Sequence, residues 1–323
     1  MSSNLETPTL PNPETVALDK LGLMSTFPPL ENQRVDLTNS FKYPQMRWAV
    51  QHMRELYPTR NIRRGHAQVT DLQVALKPIG RFTFQDASEQ LTSVDEWFNQ
   101  NYLDALVVLH KGNIVFERYD NQMKPSSSHL LFSVTKSFTG LMAAQLAHEG
   151  KIDPNAWVTH YVPELSGSAW SDMRVREVMD MTGAVRYRED YTDVTAEIFG
   201  YSWASGLMPR PAGYQGQSNI YDFLQTLQKE GEHGAGFVYR TVHSEVLGWI
   251  VTRVTQKNWA DHLSDTIWQK LGMEEDAHVI VDSVGTPLQG GGLNASARDL
   301  ARFGEMLRCG GELKGQRIFA KEV

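Results

Sequence analysis

The stretch Leu130-Leu-Phe-Ser133-Val-Thr-Lys136-Ser-Phe-Thr-Gly140 places a serine at the start of a predicted helix and a lysine three residues later. Residues three apart lie about one turn apart on the same helix face, so the lysine nitrogen can reach the serine hydroxyl. The N-terminal end of a helix also carries partial positive charge and free N–H groups, which would stabilise an oxyanion beside the serine. Because a serine hydroxyl needs a base at neutral pH, this pattern indicates a Ser/Lys nucleophile.

The bare Ser-x-x-Lys spacing arises readily by chance, because serine and lysine are both common residues. Its position after a predicted hairpin and the loop Ser126–Ser128 is more informative, since a nucleophile of this kind lies at a helix start. The alternative interpretation is an N-cap serine followed by a solvated lysine, although lysine is unfavourable at the positive end of a helix. The local sequence favours the two interpretations about equally.

The 323-residue chain has 31 Lys and Arg against 38 Asp and Glu, a formal net charge of −7 at pH 7. This acidic balance disfavours nucleic acid and anionic membranes as partners. No apolar run approaches the ~18 residues needed to cross a bilayer, and the start of the chain lacks a secretory pattern, so a cytoplasmic location is expected. The single cysteine, Cys309, excludes an internal disulfide and is predicted to be a buried apolar residue.

The organisation of the first third of the chain follows from proline content and β-rich runs. Residues 1–45 contain many prolines and polar residues and are predicted to form an extended arm. A short helix is predicted over Arg47–Leu56, followed by a polar connection at Asn61–Gly65. Two β-rich runs within Leu103–Tyr119, joined by Lys111-Gly112-Asn113, predict a hairpin.

Helical periodicity dominates the rest of the chain. A helix is predicted over Ser133–Glu149, with Gly150 and Pro154 as its stop signals. A hairpin alone is not a stable sheet, so further strands must come from the segment around Val279–Val281 or from chain that this sequence does not contain. Further helices are predicted at Arg174–Met181, Ile220–Glu230, Glu245–Thr255, Trp259–Leu271 and Ala297–Cys309.

A second candidate for chemistry is Tyr239, which a glycine-rich segment delivers, together with Thr241, just before a predicted helix. A phenol beside a lysine ammonium can be held partly as phenolate and can pass a proton to a leaving group. Taken alone, Tyr239 is more simply explained as an ordinary half-buried tyrosine.

Seven ordered motifs indicate a family. They are Phe132–Gly140, Glu149–Pro154, Tyr161–Leu165, Val178–Gly183, Tyr239-x-Thr241, Leu271–Met273 and Gly290–Asp299. From about Trp48 to its end, the chain resembles the serine β-lactamase and penicillin-binding-protein superfamily, in its class C-like branch. Within that branch it is most similar to the 6-aminohexanoate-dimer hydrolases, amidases that degrade nylon oligomers.

The resemblance implies roles for individual residues. Ser133 would be the acylated nucleophile, with its backbone N–H as half of the oxyanion hole, and Lys136 would accept its proton. Tyr239 would work with Lys136 and protonate the leaving amine, and Thr241 would stand where the family commonly has Asn or Ser and contact substrate. Tyr191 would contribute to substrate binding from a loop that closes over the substrate.

The loop Val185–Asp193, which contains Tyr191, has two interpretations that the sequence leaves open. Alternating charges and aromatic rings could hold a small zwitterion. The alternative is a solvated loop whose charges cancel. The segment Gly290–Gly292 is predicted to be a tight backbone passage and not a phosphate cradle, because the lysine and serine of a P-loop are missing.

The fold implied by the resemblance is α+β, with an antiparallel sheet flanked by helices and an inserted helical domain. The α/β domain would comprise residues 46–150 and 276–323, and the helical domain residues 151–275. No Ser-Asp-Asn motif and no Lys-Thr-Gly or His-x-Gly strand is found in the expected order. The sequence is therefore expected to lack the family's last strands, without which catalysis would be weak.

The function implied is hydrolysis of small linear amides, of the 6-aminohexanoate-oligomer type, through an acyl-enzyme. The alternatives are a carboxylesterase or weak β-lactamase on the same fold, and a penicillin-binding-like protein that binds ligands without turnover. No cofactor is expected, and the ten histidines show no metal-binding motif. The expected partner is a small amide or ester substrate, and the sequence leaves a homodimer open.

Overall fold

The computed structural model describes residues 16–323, so the arm predicted over 1–45 is described only from Val16 onward. Within it, Leu18–Leu21 is a one-turn helix and Glu31–Gln33 a 3-10 turn, so this part is not uniformly extended as predicted. The chain divides into two units, one formed by the described residues up to Ala49 with Leu72–Pro125, the other by Val50–Asp71 with Ser126–Val323. The domain plan with boundaries near residues 150 and 275 stays a prediction.

The regular elements are numbered in chain order over residues 16–323. The α-helices are α1 Leu18–Leu21, α2 Met46–Ala49, α3 Met53–Leu56, α4 Val94–Gln100, α5 Thr135–His148, α6 Val158–Tyr161, α7 Val175–Met179, α8 Glu197–Ser205, α9 Ile220–Thr226, α10 Thr241–Thr255, α11 Trp259–Leu263 and α12 Ala297–Arg308. The strands are β1 Thr59–Ile62, β2 Thr83–Gln85, β3 Leu91–Ser93, β4 Ala105–His110, β5 Asn113–Tyr119, β6 His129–Leu130, β7 Ala277–Ile280, β8 Leu293–Ala295, β9 Glu312–Leu313 and β10 Gln316–Arg317.

The first unit contains the predicted hairpin, formed by β4 and β5 in antiparallel register. Its two-residue turn has φ of +52° at Lys111 and +77° at Gly112, the backbone twist that matches a hairpin. The upstream segment Gln73–Lys77 runs along the other edge of β5, where the N–H of Ala75 donates to the carbonyl of Ile114 at 2.8 Å. Of the two sources of further strands that the sequence left open, the Val279 segment does not join this hairpin, since it belongs to another sheet.

The second unit contains a four-stranded antiparallel sheet in the order β1-β7-β8-β6. The predicted strand around Val279 is β7, which pairs with β1 on one side and β8 on the other. β1 occupies part of the segment predicted to be a polar connection. Only Ile62 of this edge strand is fully buried, so its pairing with β7, and not an apolar pattern, makes it a strand. The predicted α+β fold, an antiparallel sheet with flanking helices, is confirmed.

The central helix of the second unit is α5, which begins two residues after Ser133. The predicted helix Ser133–Glu149 starts as a 3-10 turn at Phe132–Val134, continues as α5, and ends at Gly150 with φ +70°. Phe138 is fully buried and stacks on Phe303, with ring centroids 3.9 Å apart. Burial of this apolar face fixes the helix in the core and thereby fixes the position of its N-terminal turn.

Two helices differ from the sequence prediction. The helix predicted over Arg47–Leu56 is broken into α2 and α3, because the carbonyl of Val50 accepts the N–H of Leu130 from β6 at 2.8 Å instead of a helical partner. α8 was not predicted, because its interior glycine, Gly200, lowers helix propensity. That glycine allows close packing on α9, since a Cβ there would lie 3.0 Å from the ring of Phe223.

The other predicted helices are present, with shorter ends in most cases. The helix predicted over Trp259–Leu271 is α11 followed by a π-helical turn at Ser264–Trp268. Cys309 is exposed, so its predicted burial is wrong; α12 ends at Arg308, and the cysteine leaves the helical periodicity. None of the helices in residues 16–323 has the length and apolarity to cross a membrane.

Candidate active site

Ser133 and Lys136 face each other at the N-terminal end of α5. The Nζ atom of Lys136 donates a hydrogen bond to the Oγ atom of Ser133 at 3.1 Å. Ser133 is exposed and lies in the 3-10 turn before α5, whose N-cap residue is Val134 and has no side-chain capping bond. The predicted juxtaposition of hydroxyl and amine is therefore present, and the alternative of an N-cap serine is wrong.

The backbone immediately before the serine is strained. Phe132 has φ +45°, a left-handed conformation that is uncommon for a bulky residue. Its carbonyl accepts a hydrogen bond from the hydroxyl of Thr135 at 2.7 Å, which holds the turn. Strain of this kind concentrates at functional sites, and it presents Ser133 at the start of a helix, where N–H groups lack helical partners.

Lys136 has a second partner across the site. Its Nζ atom donates to the carbonyl oxygen of Gly290 at 2.6 Å, so the amine bridges the serine hydroxyl and a backbone carbonyl. The backbone at Gly290–Gly292 passes closely, because a Cβ at Gly290 would lie 2.6 Å from Cγ2 of Thr241 and one at Gly292 would lie 2.7 Å from Cβ of Leu288. The predicted tight backbone passage is confirmed.

Two threonines of α5 attach the helix to this same passage. The hydroxyl of Thr139 donates to the carbonyl of Gln289 at 2.8 Å, and the hydroxyl of Thr135 accepts the N–H of Leu293 at 3.1 Å. The indole N–H of Trp259 in turn donates to the hydroxyl of Thr139 at 3.1 Å. These buried bonds keep the lysine in register with the carbonyl that it binds.

Tyr239 lies beside the lysine, with its ring centroid 5.0 Å from the Nζ atom of Lys136. This is within the range of a cation–π contact, and the tyrosine is 43% exposed. The segment before it is held by the motif Val178–Gly183, whose Met181 carbonyl accepts the N–H of Val238 at 3.0 Å. The fold therefore brings together the three residues to which the resemblance assigns chemistry.

Thr241 is the first residue of α10 and is only 7% exposed. Its backbone N–H donates to the carboxylate of Glu189, and its methyl group faces the backbone of Gly290. A carboxylate at a helix N-terminus satisfies a free N–H and interacts favourably with the helix dipole. The structure thus places Thr241 at the site as a packing neighbour of Gly290, and its substrate contact stays a prediction.

The loop of Tyr191 combines internal ion pairs with an exposed aromatic ring. Arg188 donates to Asp193 at 2.7 Å and to Glu197 at 3.3 Å, so these charges are paired locally. Tyr191 is 65% exposed, and desolvation followed by the charge of Glu189 raises its pKa. The pairing of Arg188 favours the interpretation of cancelling charges for that part of the loop, while the tyrosine stays accessible.

Sequence reasoning missed Glu245, a fully buried carboxylate on α10. It accepts hydrogen bonds from the N–H of Gln289 at 3.0 Å, the N–H of Gly290 at 2.8 Å and the hydroxyl of Tyr201 at 2.7 Å. Burial raises the pKa of Glu245 to about 7, against the lowering effect of these bonds and of the Lys136 charge. The sequence prediction begins this helix at Glu245, where an acidic residue is ordinary, whereas α10 begins at Thr241 and places Glu245 in its second turn.

The histidines of the described chain do not form a metal centre. In residues 16–323, no group of three or more His, Cys, Asp and Glu side chains is placed to hold a metal ion. Burial lowers the pKa of His243 to about 4 and that of His278 to about 3, so both rings are neutral at pH 7. His243 packs against the edge of Trp170, with ring centroids 5.5 Å apart.

Comparison with known proteins decides the family. A sequence model described as beta-lactamase matches residues 100–322. The chain belongs to the β-lactamase family. The 6-aminohexanoate-dimer hydrolase of Paenarthrobacter ureafaciens is 36% identical over 279 residues, which cover 86% of this chain and 68% of that protein. The β-lactamase-family chain is therefore a hydrolase by fold and relationship, and the resemblance stated from the motifs is confirmed.

Solved structures agree with this assignment. A candidate 6-aminohexanoate-dimer hydrolase from Bacillus anthracis superposes with a TM-score of 0.85 at 32% identity, covering 91% of this chain and 76% of that one. A candidate β-lactamase from Bacteroides dorei superposes with a TM-score of 0.55 at 18% identity, covering 71% of this chain and 65% of that one. The second likeness concerns the fold alone.

Proposed function

We propose that this β-lactamase-family protein is a serine hydrolase that cleaves small linear amides through an acyl-enzyme, with 6-aminohexanoate oligomers as the substrate class. The observation that carries the proposal is the position of the Lys136 amine, 3.1 Å from the Ser133 hydroxyl and 2.6 Å from the Gly290 carbonyl. The substrate class is supported by the 36% identity to a protein named 6-aminohexanoate-dimer hydrolase.

The first step is acylation. The Oγ atom of Ser133 attacks the substrate carbonyl carbon, and its proton passes to the neutral amine of Lys136. The tetrahedral oxyanion accepts a hydrogen bond from the backbone N–H of Ser133. Collapse of the intermediate breaks the C–N bond. The leaving nitrogen takes a proton from the hydroxyl of Tyr239, and the ammonium of Lys136 then gives a proton to the tyrosine oxygen.

The second step is hydrolysis of the acyl-enzyme. Water attacks the ester carbonyl, and its proton passes to the neutral amine of Lys136. Cleavage of the C–O bond releases the carboxylic acid and returns a proton to the Oγ atom of Ser133. The cycle consumes one water molecule and cleaves one amide bond. At its end Ser133, Lys136 and Tyr239 have returned to their starting protonation states.

Apolar side chains exposed next to Ser133 and close in sequence to Tyr239 offer a surface for a substrate with an aliphatic spacer. Phe132 and Val134, which flank Ser133, are 43% and 40% exposed, and Phe237, two residues before Tyr239, is 67% exposed. Large exposed apolar side chains beside a polar centre are typical of a binding surface. A polymethylene chain between two amides would pack on this surface while the amide lies at the serine.

Covalent labelling tests the proposal directly. A fluorophosphonate probe is expected to modify Ser133 and to abolish turnover of a 6-aminohexanoate dimer, because the activated hydroxyl attacks phosphorus as it attacks a carbonyl. Peptide mass spectrometry locates the label. Ser133→Ala should abolish the label, whereas Ser137→Ala, which alters an exposed serine in the first turn of α5, should retain it. A folded wild-type protein without label and without turnover would support a binding protein without catalysis.

Tyr239→Phe is expected to separate amide from ester hydrolysis. An amine must be protonated as it leaves, whereas p-nitrophenolate leaves as an anion, so amide turnover should fall about 100-fold and p-nitrophenyl ester turnover much less. Turnover of a 6-aminohexanoate dimer, a short p-nitrophenyl ester and nitrocefin by the wild type ranks amidase, esterase and β-lactamase activity.

The control for Tyr239→Phe is Tyr214→Phe, which removes another phenol, one that donates to the carbonyl of Gln217 at 3.2 Å. This variant should retain wild-type rates on all three substrates. An equal loss on amide and ester in Tyr239→Phe would contradict a role in protonating the leaving group.

A further inference from the structure

Glu245 lies directly behind the carbonyl that binds the catalytic amine. One carboxylate oxygen of Glu245 accepts the N–H of Gly290 at 2.8 Å, and the other accepts the N–H of Gln289 at 3.0 Å. The carbonyl of Gly290 accepts Nζ of Lys136 at 2.6 Å. The chain of contacts therefore runs from a buried carboxylate through one residue of backbone to the amine.

The backbone at this point has little room to move. A Cβ at Gly290 would lie 2.6 Å from Cγ2 of Thr241 and 2.9 Å from Oε1 of Glu245. Position 290 is thus packed against the first turns of α10, and the carboxylate supplies the acceptors for two consecutive N–H groups that would otherwise be buried without partners. Loss of those acceptors would release the passage from the helix.

The segment that leads into the same helix carries the other partner of the amine. α10 begins two residues after Tyr239, whose ring centroid lies 5.0 Å from Nζ of Lys136. Glu245 is one turn further along that helix. A bond from α10 to the Gly290 backbone therefore fixes the amine relative to the tyrosine as well as to the serine.

The charges around Glu245 are few and identifiable. Tyr201 on α8 donates to it at 2.7 Å, and the phenols of Tyr187 and Tyr221 lie near enough to feel its charge. Lys136 is close enough for its positive charge to lower the pKa of Glu245. Above its pKa of about 7, where Glu245 is ionised, its carboxylate favours the ammonium form of a nearby lysine more strongly in this buried site with low effective dielectric than it would in water.

We propose that Glu245 is a positioning residue for Lys136. Through the Gly290 backbone it fixes the position of the amine, and through its charge it affects the affinity of the amine for a proton. The inference rests on the proposed function, because Lys136 is the base in that mechanism. Glu245 itself does not touch the substrate. Its removal should alter the pH dependence of acylation, which loss of packing alone would not do.

The test measures the rate of fluorophosphonate labelling of Ser133 as a function of pH in the wild type, Glu245→Gln and Glu245→Asp. In Glu245→Gln the rate on the plateau at high pH, where the amine is neutral, should fall about 10-fold, because one of the two N–H groups loses its acceptor. The limb of the pH profile that reports loss of the lysine proton should move about one pH unit lower, because the negative charge is gone. Glu245→Asp restores the charge and should return the limb toward its wild-type position.

Glu305→Gln is the matched control, since Glu305 is a 6% exposed carboxylate on α12 that binds Arg308. It should leave the pH profile unchanged. Tyr201→Phe keeps the carboxylate but removes one of its three donors, and it should shift the limb in the same direction by less. If Glu245→Gln does not fold, the pH profile of Tyr201→Phe tests the role of Glu245 in its place.

The outcomes separate this inference from the proposed function. A wild-type protein that is not labelled at Ser133 overturns both. A labelled wild type whose profile matches those of folded Glu245→Gln and Tyr201→Phe overturns only the role of Glu245. A shifted limb in Glu245→Gln with recovery in Glu245→Asp supports it.

Discussion

Lys136→Ala should lower the rate of Ser133 acylation by about 10³-fold or more while the protein stays folded. The substitution removes the amine that lies 3.1 Å from the serine hydroxyl, and no other basic group is seen to hydrogen-bond that hydroxyl in the described chain. A neutral serine with a pKa far above 7 is then left to react unassisted. The rate of fluorophosphonate labelling and the turnover of a p-nitrophenyl ester measure the effect.

The control for this substitution is Lys151→Ala, which removes another lysine just beyond the end of α5. Lys151 is exposed and pairs with Glu149 at 2.6 Å, so its loss should change the rate less than 2-fold, in keeping with the small contribution of a surface ion pair. Circular dichroism and thermal unfolding confirm that both variants fold. Retention of more than a tenth of the labelling rate in Lys136→Ala would show that some other group accepts the serine proton.

The local elements of the fold could be predicted because their signals lie within a few residues of each other. The hairpin follows from two β-rich runs and a turn with Gly112, and the structure shows that turn with two positive φ angles. The helix after Ser133 follows from apolar spacing and from the stop at Gly150. In each case short-range chemistry alone defines the element.

The elements that sequence reasoning missed depend on distant partners. The break between α2 and α3 exists because the Val50 carbonyl pairs with Leu130, eighty residues away. β1 contains polar residues and becomes a strand by pairing with β7. α8 contains Gly200, whose lack of a side chain is used to pack against Phe223. Neither propensity nor periodicity reports such long-range pairing.

The candidate site shows the same division. The pair of Ser133 and Lys136 could be predicted from helix geometry, whereas Tyr239, about a hundred residues further on, was assigned through resemblance to a family. The role of the Gly290 carbonyl could not be predicted, because a backbone acceptor leaves no signature in a sequence. Glu245 was missed because the predicted helix began there, and an acidic residue is ordinary at a helix N-terminus. A buried acidic residue in an apolar helix face is the kind of local inconsistency that marks a functional site.

Gly290→Ala should impair both activity and stability. The new Cβ would lie 2.6 Å from Cγ2 of Thr241 and 2.9 Å from Oε1 of Glu245, so the backbone must move. That movement displaces the carbonyl now 2.6 Å from Nζ of Lys136. A misplacement of about 1 Å in such a site costs about 100-fold in rate, and overpacking costs about 2 kcal/mol of unfolding free energy.

The neighbouring residue provides a matched control, because a Cβ at Gly291 would meet nothing within 4 Å. Gly291→Ala makes the same chemical change one residue along the same passage, so it should keep the labelling rate of Ser133 within about 2-fold of wild type and change stability by less than about 1 kcal/mol. Urea unfolding and fluorophosphonate labelling on both variants give the comparison. If Gly290→Ala and Gly291→Ala behave alike, the close contact between the glycine passage and α10 does not set the position of the amine. If only Gly290→Ala loses activity, the loss comes from displacement of the carbonyl and not from adding a methyl group to a glycine-rich segment.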